Sequence, residues 1–235
     1  MKTGIFYGIS VGTGDPELIT VKGLRLLQHC PVVAFPAGIK GQGIAEAIVA
    51  PWLKPNQQTL ALKFPYVREK ELLEAAWEIA AKEVWQHLNE GVDVAFACEG
   101  DISFYSTFSH LARTLKRLYP EVKILNIPGI CSPVAAAADL GIPLTVNQEK
   151  LTILPALYAI DNLETALDNA EVLVLLKVSS VYPQVWDILD KWGLLQQSYV
   201  VVKAGSSDRV IYADLTNHRE LKLPYFSLLI VSCLA

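Results

Sequence analysis

The sequence predicts an α/β protein built as two α/β domains, and three observations carry that expectation. Short apolar runs alternate with helical stretches along most of the 235 residues. Most of those runs hold apolar residues at consecutive positions, the pattern of strands covered on both faces and joined by crossover helices. A polar, proline-containing stretch at 141–150 then interrupts the alternation and marks a boundary. Hydrophobic residues make up 52% of the chain and charged residues 19%, which suits a sizeable core and argues against disorder.

In chain order, the runs at 5–11, 32–35, 92–98, 122–127, 151–154, 172–176 and 199–202 read as strands. The clearest helix covers 69–89, where Leu72, Ala76, Ala80, Val84 and Leu88 recur four residues apart beside Leu73 and Trp77. Residues 1–143 form the first expected domain and 144–235 the second. In the second, 209–213 and 225–231 are expected to form an antiparallel return, making its sheet mixed.

The net charge of -4 and the lack of any basic stripe exclude a nucleic-acid surface. Met1-Lys2-Thr3-Gly4 runs straight into a strand-length apolar segment, so a cytoplasmic protein is expected. The apolar stretch 225–235 falls far short of the roughly 20 residues that span a bilayer. Cys30, Cys98, Cys131 and Cys233 lack paired metal spacing and read as small buried hydrophobes. The four histidines show no His-x-x-x-His pair, and no Gly-x-Ser-x-Gly elbow accompanies them, so no metal is expected.

Three loops could hold a small charged ligand. After the first strand, Gly12-Thr13-Gly14 allows close backbone approach, and Asp15-Pro16-Glu17 carries the cap, the N1 proline and the acidic first turn of a helix. A dinucleotide loop is the rival reading, but the third glycine of G-x-G-x-x-G is missing and the second strand ends in Phe35-Pro36 without a ribose-binding carboxylate. The second loop, Cys98-Glu99-Gly100-Asp101, sits at the carboxyl end of a buried strand, where open α/β sheets bind ligands. Its two acids could take an ammonium group or oppose a sulfonium, or form an ordinary solvated turn. The third loop, Pro128-Gly129-Ile130-Cys131-Ser132-Pro133, leads into a helix capped by Ser132 and kept slim by the alanines at 135–138.

In this order the loops resemble the tetrapyrrole methylase family, whose members carry a Gly-Pro-Gly-Asp turn, a Gly-Asp-Pro loop and a Pro-Gly-Val/Ile-Ser/Thr-Ser turn. Here Thr13 stands for the first proline and Ile102 for the second. The run Glu99-Gly100-Asp101-Ile102-Ser103-Phe104-Tyr105-Ser106 is similar to the branch that methylates precorrin-2 at C(20). The resemblance implies two domains of the tetrapyrrole methylase type with the active site in the cleft between them, a homodimer, and S-adenosylmethionine as co-substrate. By the same likeness the donor is held at Gly12, Thr13, Gly14, Asp15, Glu99, Gly100, Asp101, Phe104, Cys131 and Ser132. Pro155, Ala156, Lys177, Ala204 and Gly205 contribute from the second domain.

The implied substrate is a tetrapyrrole, precorrin-2 or its cobalt form, whose own electron-rich carbon attacks the methyl group. Asp101 and Tyr105 are the candidates for accepting a proton. Lys40, Lys63, Arg68, Lys177, Lys203 and Arg209 are the cations available to substrate carboxylates. A second tetrapyrrole position, a binding module without turnover and a NAD-dependent oxidoreductase stand as the alternatives.

Overall fold

A computed structural model describes residues 2–37, 41–65, 67 and 69–233. Two of the candidate cations, Lys40 and Arg68, lie outside the described residues. The chain divides into two compact units, Met1–Cys131 and Ser132–Ala235.

The first unit is a five-stranded parallel sheet. Its strands are β1 (Ile5–Ser10), β2 (Val32–Pro36), β3 (Gln58–Leu62), β4 (Val94–Cys98) and β5 (Lys123–Ile127), in the order β3-β2-β4-β1-β5. Because every connection between parallel strands must cross over, helices cover both faces. These are α1 (Val21–His29), α2 (Ile44–Val49), α3 (Lys70–Asn89) and α4 (Thr107–Leu118). One core layer joins Phe6 and Phe96 to Ala80, Val84, Phe108 and Leu111 of α3 and α4. The other joins Ile9 and Val33 to Leu27 of α1 and Ile48 of α2. Phe108 stacks on Phe6 with ring centroids 5.5 Å apart, fixing α4 over the middle of the sheet.

The second unit begins with α5 (Ser132–Leu140) and continues through β6 (Leu151–Pro155), α6 (Ala156–Ala159), α7 (Leu163–Asp168), β7 (Val172–Leu176), α8 (Tyr182–Lys191), β8 (Ser198–Val202), β9 (Val210–Ala213) and β10 (Ser227–Ser232). Its sheet is mixed, in the order β6-β7-β10-β8-β9. Strand β6 runs parallel to β7, while β10 lies antiparallel between β7 and β8. Leu173, Leu175, Val200 and Leu229 pack with Tyr182, Val185 and Leu189 of α8 in one core.

Three sequence expectations meet a different local arrangement. The edge strand β3 was not anticipated: Gln58 and Thr59 interrupt its apolar pattern, and most of its residues are exposed. The return expected between 209–213 and 225–231 does not form, because β9 and β10 each pair with β8 instead of with one another. The helix expected from Asp15 is only a 3-10 turn over Pro16–Leu18; extended backbone at Ile19 breaks it, and Thr20 caps a fresh start for α1.

The expected boundary at 143/144 also differs from the division after Cys131, which assigns α5 to the second unit. Asp139 is the reason: it accepts the Gly205 amide at 2.6 Å and pairs with Arg209 at 3.0 Å, holding the helix against the sheet that follows it.

Candidate active site

Strands β1, β4 and β5 of the first unit all end on one edge, and the three glycine-bearing loops leave from that edge. The Val11 amide donates to the Cys98 carbonyl at 3.0 Å, continuing the parallel ladder. One step further the chain after β4 turns back. The peptide joining Glu99 to Gly100 donates to the carbonyl of the peptide joining Gly12 to Thr13, at 2.7 Å. The first two loops are thereby locked side by side. Gly100 has φ +69, a conformation costly for other residues, and a Cβ there would meet nothing within 4 Å, so open space lies over this turn.

Asp101 fastens the third loop to the other two. Its Oδ2 accepts the Gly129 amide at 2.7 Å and the Ser10 hydroxyl at 3.3 Å, while its Oδ1 accepts the Ser103 amide at 2.8 Å and the Ser103 hydroxyl. The Ser10 hydroxyl in turn accepts the Ile102 amide at 3.0 Å. Gly129 approaches β1 so closely that an added Cβ would lie 2.5 Å from Ser10 Cβ. Burial raises the Asp101 carboxyl, but the Ser103, Gly129 and Ser10 hydrogen bonds outweigh it and hold the group below the usual carboxylate range. Asp101 is thus an anion both of whose oxygens accept hydrogen bonds, which makes it a weak base.

Glu99 has the opposite surroundings. Burial pushes its carboxyl above the usual range, opposed only by its own amide. Among the described residues its side chain forms no ion pair or hydrogen bond with another residue. Across the Gly12–Gly100 hydrogen bond, the buried Thr13 Oγ1 likewise has no hydrogen-bond partner among the described residues. A buried hydroxyl left unpaired costs about 1–3 kcal/mol, so this edge carries polar capacity that the described residues do not use.

The neighbouring candidates have structural roles. Asp15 accepts the Glu17 amide at 2.8 Å and caps the 3-10 turn, with Gly14 just before it. Phe104 meets Tyr105 edge-on, ring centroids 5.0 Å apart; Tyr105 sits at φ +50 and is 51% exposed. Ser106 caps α4 through the Phe108 amide and lies 3.3 Å from Cys98 Sγ, whose thiol burial pushes up to about 12. Cys131 closes the first unit and Ser132 opens the second, as the first residue of α5.

Within the second unit, β6, β7 and β8 run parallel to one another, with β10 inserted, so their ends share one edge. Pro155 ends β6 and Ala156 follows it, Lys177 follows β7, and Ala204 and Gly205 come after β8. Lys177 (φ +55) and Lys203 (φ +50) both bend the backbone left-handed there, a strained conformation for lysine that recurs at functional edges. Lys203 is paired with Asp208 and Arg209 with Asp139, whereas Lys63 and Lys177 are exposed and form no ion pair among the described residues.

A groove of about 810 Å³ lies elsewhere, lined by Arg25, His29, Cys30, Pro31 and Lys54. It sits where β2 and β3 begin, at the opposite edge of the first sheet from the loops, and contains none of the candidate residues. Ser10, Ser103 and Asp139 were missed by sequence reasoning; of these, only Ser10 left a signal, as the polar end of an otherwise apolar strand.

The model of the tetrapyrrole (corrin/porphyrin) methylases matches residues 6–217. "Cobalamin biosynthesis protein CobIJ" of Mycobacterium bovis is 33% identical over 96% of the chain, which spans only 45% of that relative's length. "Precorrin-2 C(20)-methyltransferase" of a Sinorhizobium species is 32% identical over 97% of this chain and 95% of its own. Among solved structures, uroporphyrin-III C-methyl transferase from Thermus thermophilus, complexed with S-adenyl homocysteine, superposes with a TM-score of 0.66. It is 20% identical and covers 97% of each chain, a likeness of fold.

Proposed function

The chain belongs to the tetrapyrrole (corrin/porphyrin) methylases, and from that premise we propose that it transfers a methyl group from S-adenosylmethionine to C(20) of precorrin-2 in cobalamin biosynthesis. The observation that carries this reading is the Glu99-Gly100-Asp101 turn: tied to both neighbouring loops, yet open above Gly100 and bordered by the Thr13 hydroxyl, which has no hydrogen-bond partner among the described residues. An amino-acid nucleoside, rich in donors and acceptors, fits such a site. The 32% identity to the Sinorhizobium enzyme across nearly the whole chain supports C(20) as the position methylated. A homodimer is the proposed assembly.

When bound, the donor supplies an electrophilic methyl group on a sulfonium. The chain's own part is positioning, since an in-line displacement needs methyl group and nucleophilic carbon close and aligned. Loop backbone at Thr13, Gly100 and Cys131 holds the donor without flexible side chains, and Asp101 keeps those three loops in fixed register. Pro155, Ala156, Lys177, Ala204 and Gly205 are the proposed contributors from the second unit. The tetrapyrrole brings its own electron-rich carbon, so no protein nucleophile is required.

The test is calorimetric titration with S-adenosylhomocysteine, followed by turnover of precorrin-2 with and without cobalt, read as one added methyl group by mass spectrometry. Micromolar binding and methylation are expected. Absence of binding to the folded protein overturns the reading, and methylation of the cobalt form alone corrects the substrate.

A further inference from the structure

We propose that the Glu99 carboxylate accepts the proton that the methylated meso carbon must release. The inference rests on the methyltransferase reading and assigns a step that positioning alone leaves unserved. As the π electrons of the tetrapyrrole form the new C–C bond, the S–C bond breaks and its electron pair goes to sulfur, leaving a neutral thioether and a cationic macrocycle. The meso carbon then holds both the methyl group and its original hydrogen. Conjugation returns when the C–H bond breaks, its electron pair entering the ring and its proton passing to a base. No oxidant or reductant is needed.

Elimination among the carboxyl and thiol groups on this edge favours Glu99. The Asp101 carboxylate is surrounded by Gly129, Ser10 and Ser103 donors, and protonating it would break the bonds that join the loops. Asp15 is committed to the turn at Glu17. The Cys98 thiol is buried beside Ser106. Of these groups, Glu99 alone combines a carboxyl with the lack of any side-chain hydrogen bond or ion pair to another of the described residues, and the peptide that follows it is fixed by the Gly12 carbonyl at 2.7 Å beside the open space over Gly100. Removal from water also makes it a stronger base than an exposed glutamate.

The experiment compares the intact protein with Glu99→Gln, which preserves size and hydrogen-bonding capacity, and with Glu99→Asp, after circular dichroism has established folding. Glutamine is expected to lower kcat by roughly 10²–10⁴-fold while changing S-adenosylhomocysteine affinity by less than about threefold. It should also abolish the acidic limb of the kcat–pH profile, and aspartate should restore part of both. If glutamine weakens donor binding and leaves kcat and the limb intact, Glu99 is a donor-binding group and the inference falls. Unchanged turnover likewise overturns it. Failure of the intact protein to bind or methylate is a different result, and it overturns the proposed function instead.

Discussion

Glu99 and Asp101, separated by one glycine, respond to the fold in opposite directions, and their pH dependence should show it. The folded-state pKa of Asp101 is lowered, so its contribution to stability is present above the ordinary value of 3.8 and lost as pH falls through the lowered one. Asp101→Asn is expected to destabilise the protein by about 1–2 kcal/mol at neutral pH, solvent contact with part of the carboxyl limiting the effect, and the deficit should shrink in acid. For Glu99 the sign reverses. Its pKa is raised, so ionising it opposes folding once pH rises past the ordinary value of 4.5; Glu99→Gln should therefore be more stable than wild type at neutral pH and lose that advantage in acid. Urea denaturation across pH measures both, and parallel slopes would refute the assignment. Sequence alone shows two acids flanking a glycine. It cannot show that Gly129, 28 positions downstream, donates to one of them, nor that the Thr13 hydroxyl is buried with no partner among the described residues, since both facts arise from long-range packing.

At the level of elements, legibility followed runs of apolar residues. Strands β2, β4 and β7 are apolar without a break because both faces are covered, and the sequence placed each within two residues at either end. The edge strand β3 has β2 as its sole partner in the sheet, which leaves room for Gln58 and Thr59 and removes the signal. Capping chemistry was partly legible. Asp15 does cap a turn, but whether that turn propagates into α1 depends on the backbone at Ile19, which no local residue preference announces. Helix α4, which begins at Thr107, shortly after the Glu99–Asp101 turn, is held by Phe108 against Phe6 and Phe96. Phe108→Ala should cost about 3–5 kcal/mol by thermal or chemical denaturation, and loosen the loop that the helix follows. A loss below about 1 kcal/mol would mean that the aromatic cluster does not anchor the helix.

For the whole molecule, the sequence conveyed the class, the mixed second sheet and the edges from which the candidate loops leave. Strand order was beyond it, because pairing between distant strands is decided by the competition of many apolar surfaces rather than by any local run. The homodimer is a property at this scale too. Light scattering during gel filtration should give about twice the 25.8 kDa of one chain, and a mass of one chain at micromolar concentration would overturn that proposal.

Strand β10 lies in the middle of the second sheet although it is the last of that sheet's strands in chain order. A nascent chain halted after Val202 would hold β7 and β8 with two facing edges of unpaired amides and carbonyls, β7 made of valine and leucine and β8 ending in three valines. Such edges invite pairing with other chains. The interval between translating β8 and translating β10 is therefore when this protein is most exposed to aggregation, and slowing the ribosome across codons 203–226 should lower its soluble yield more than the same delay placed within the first unit.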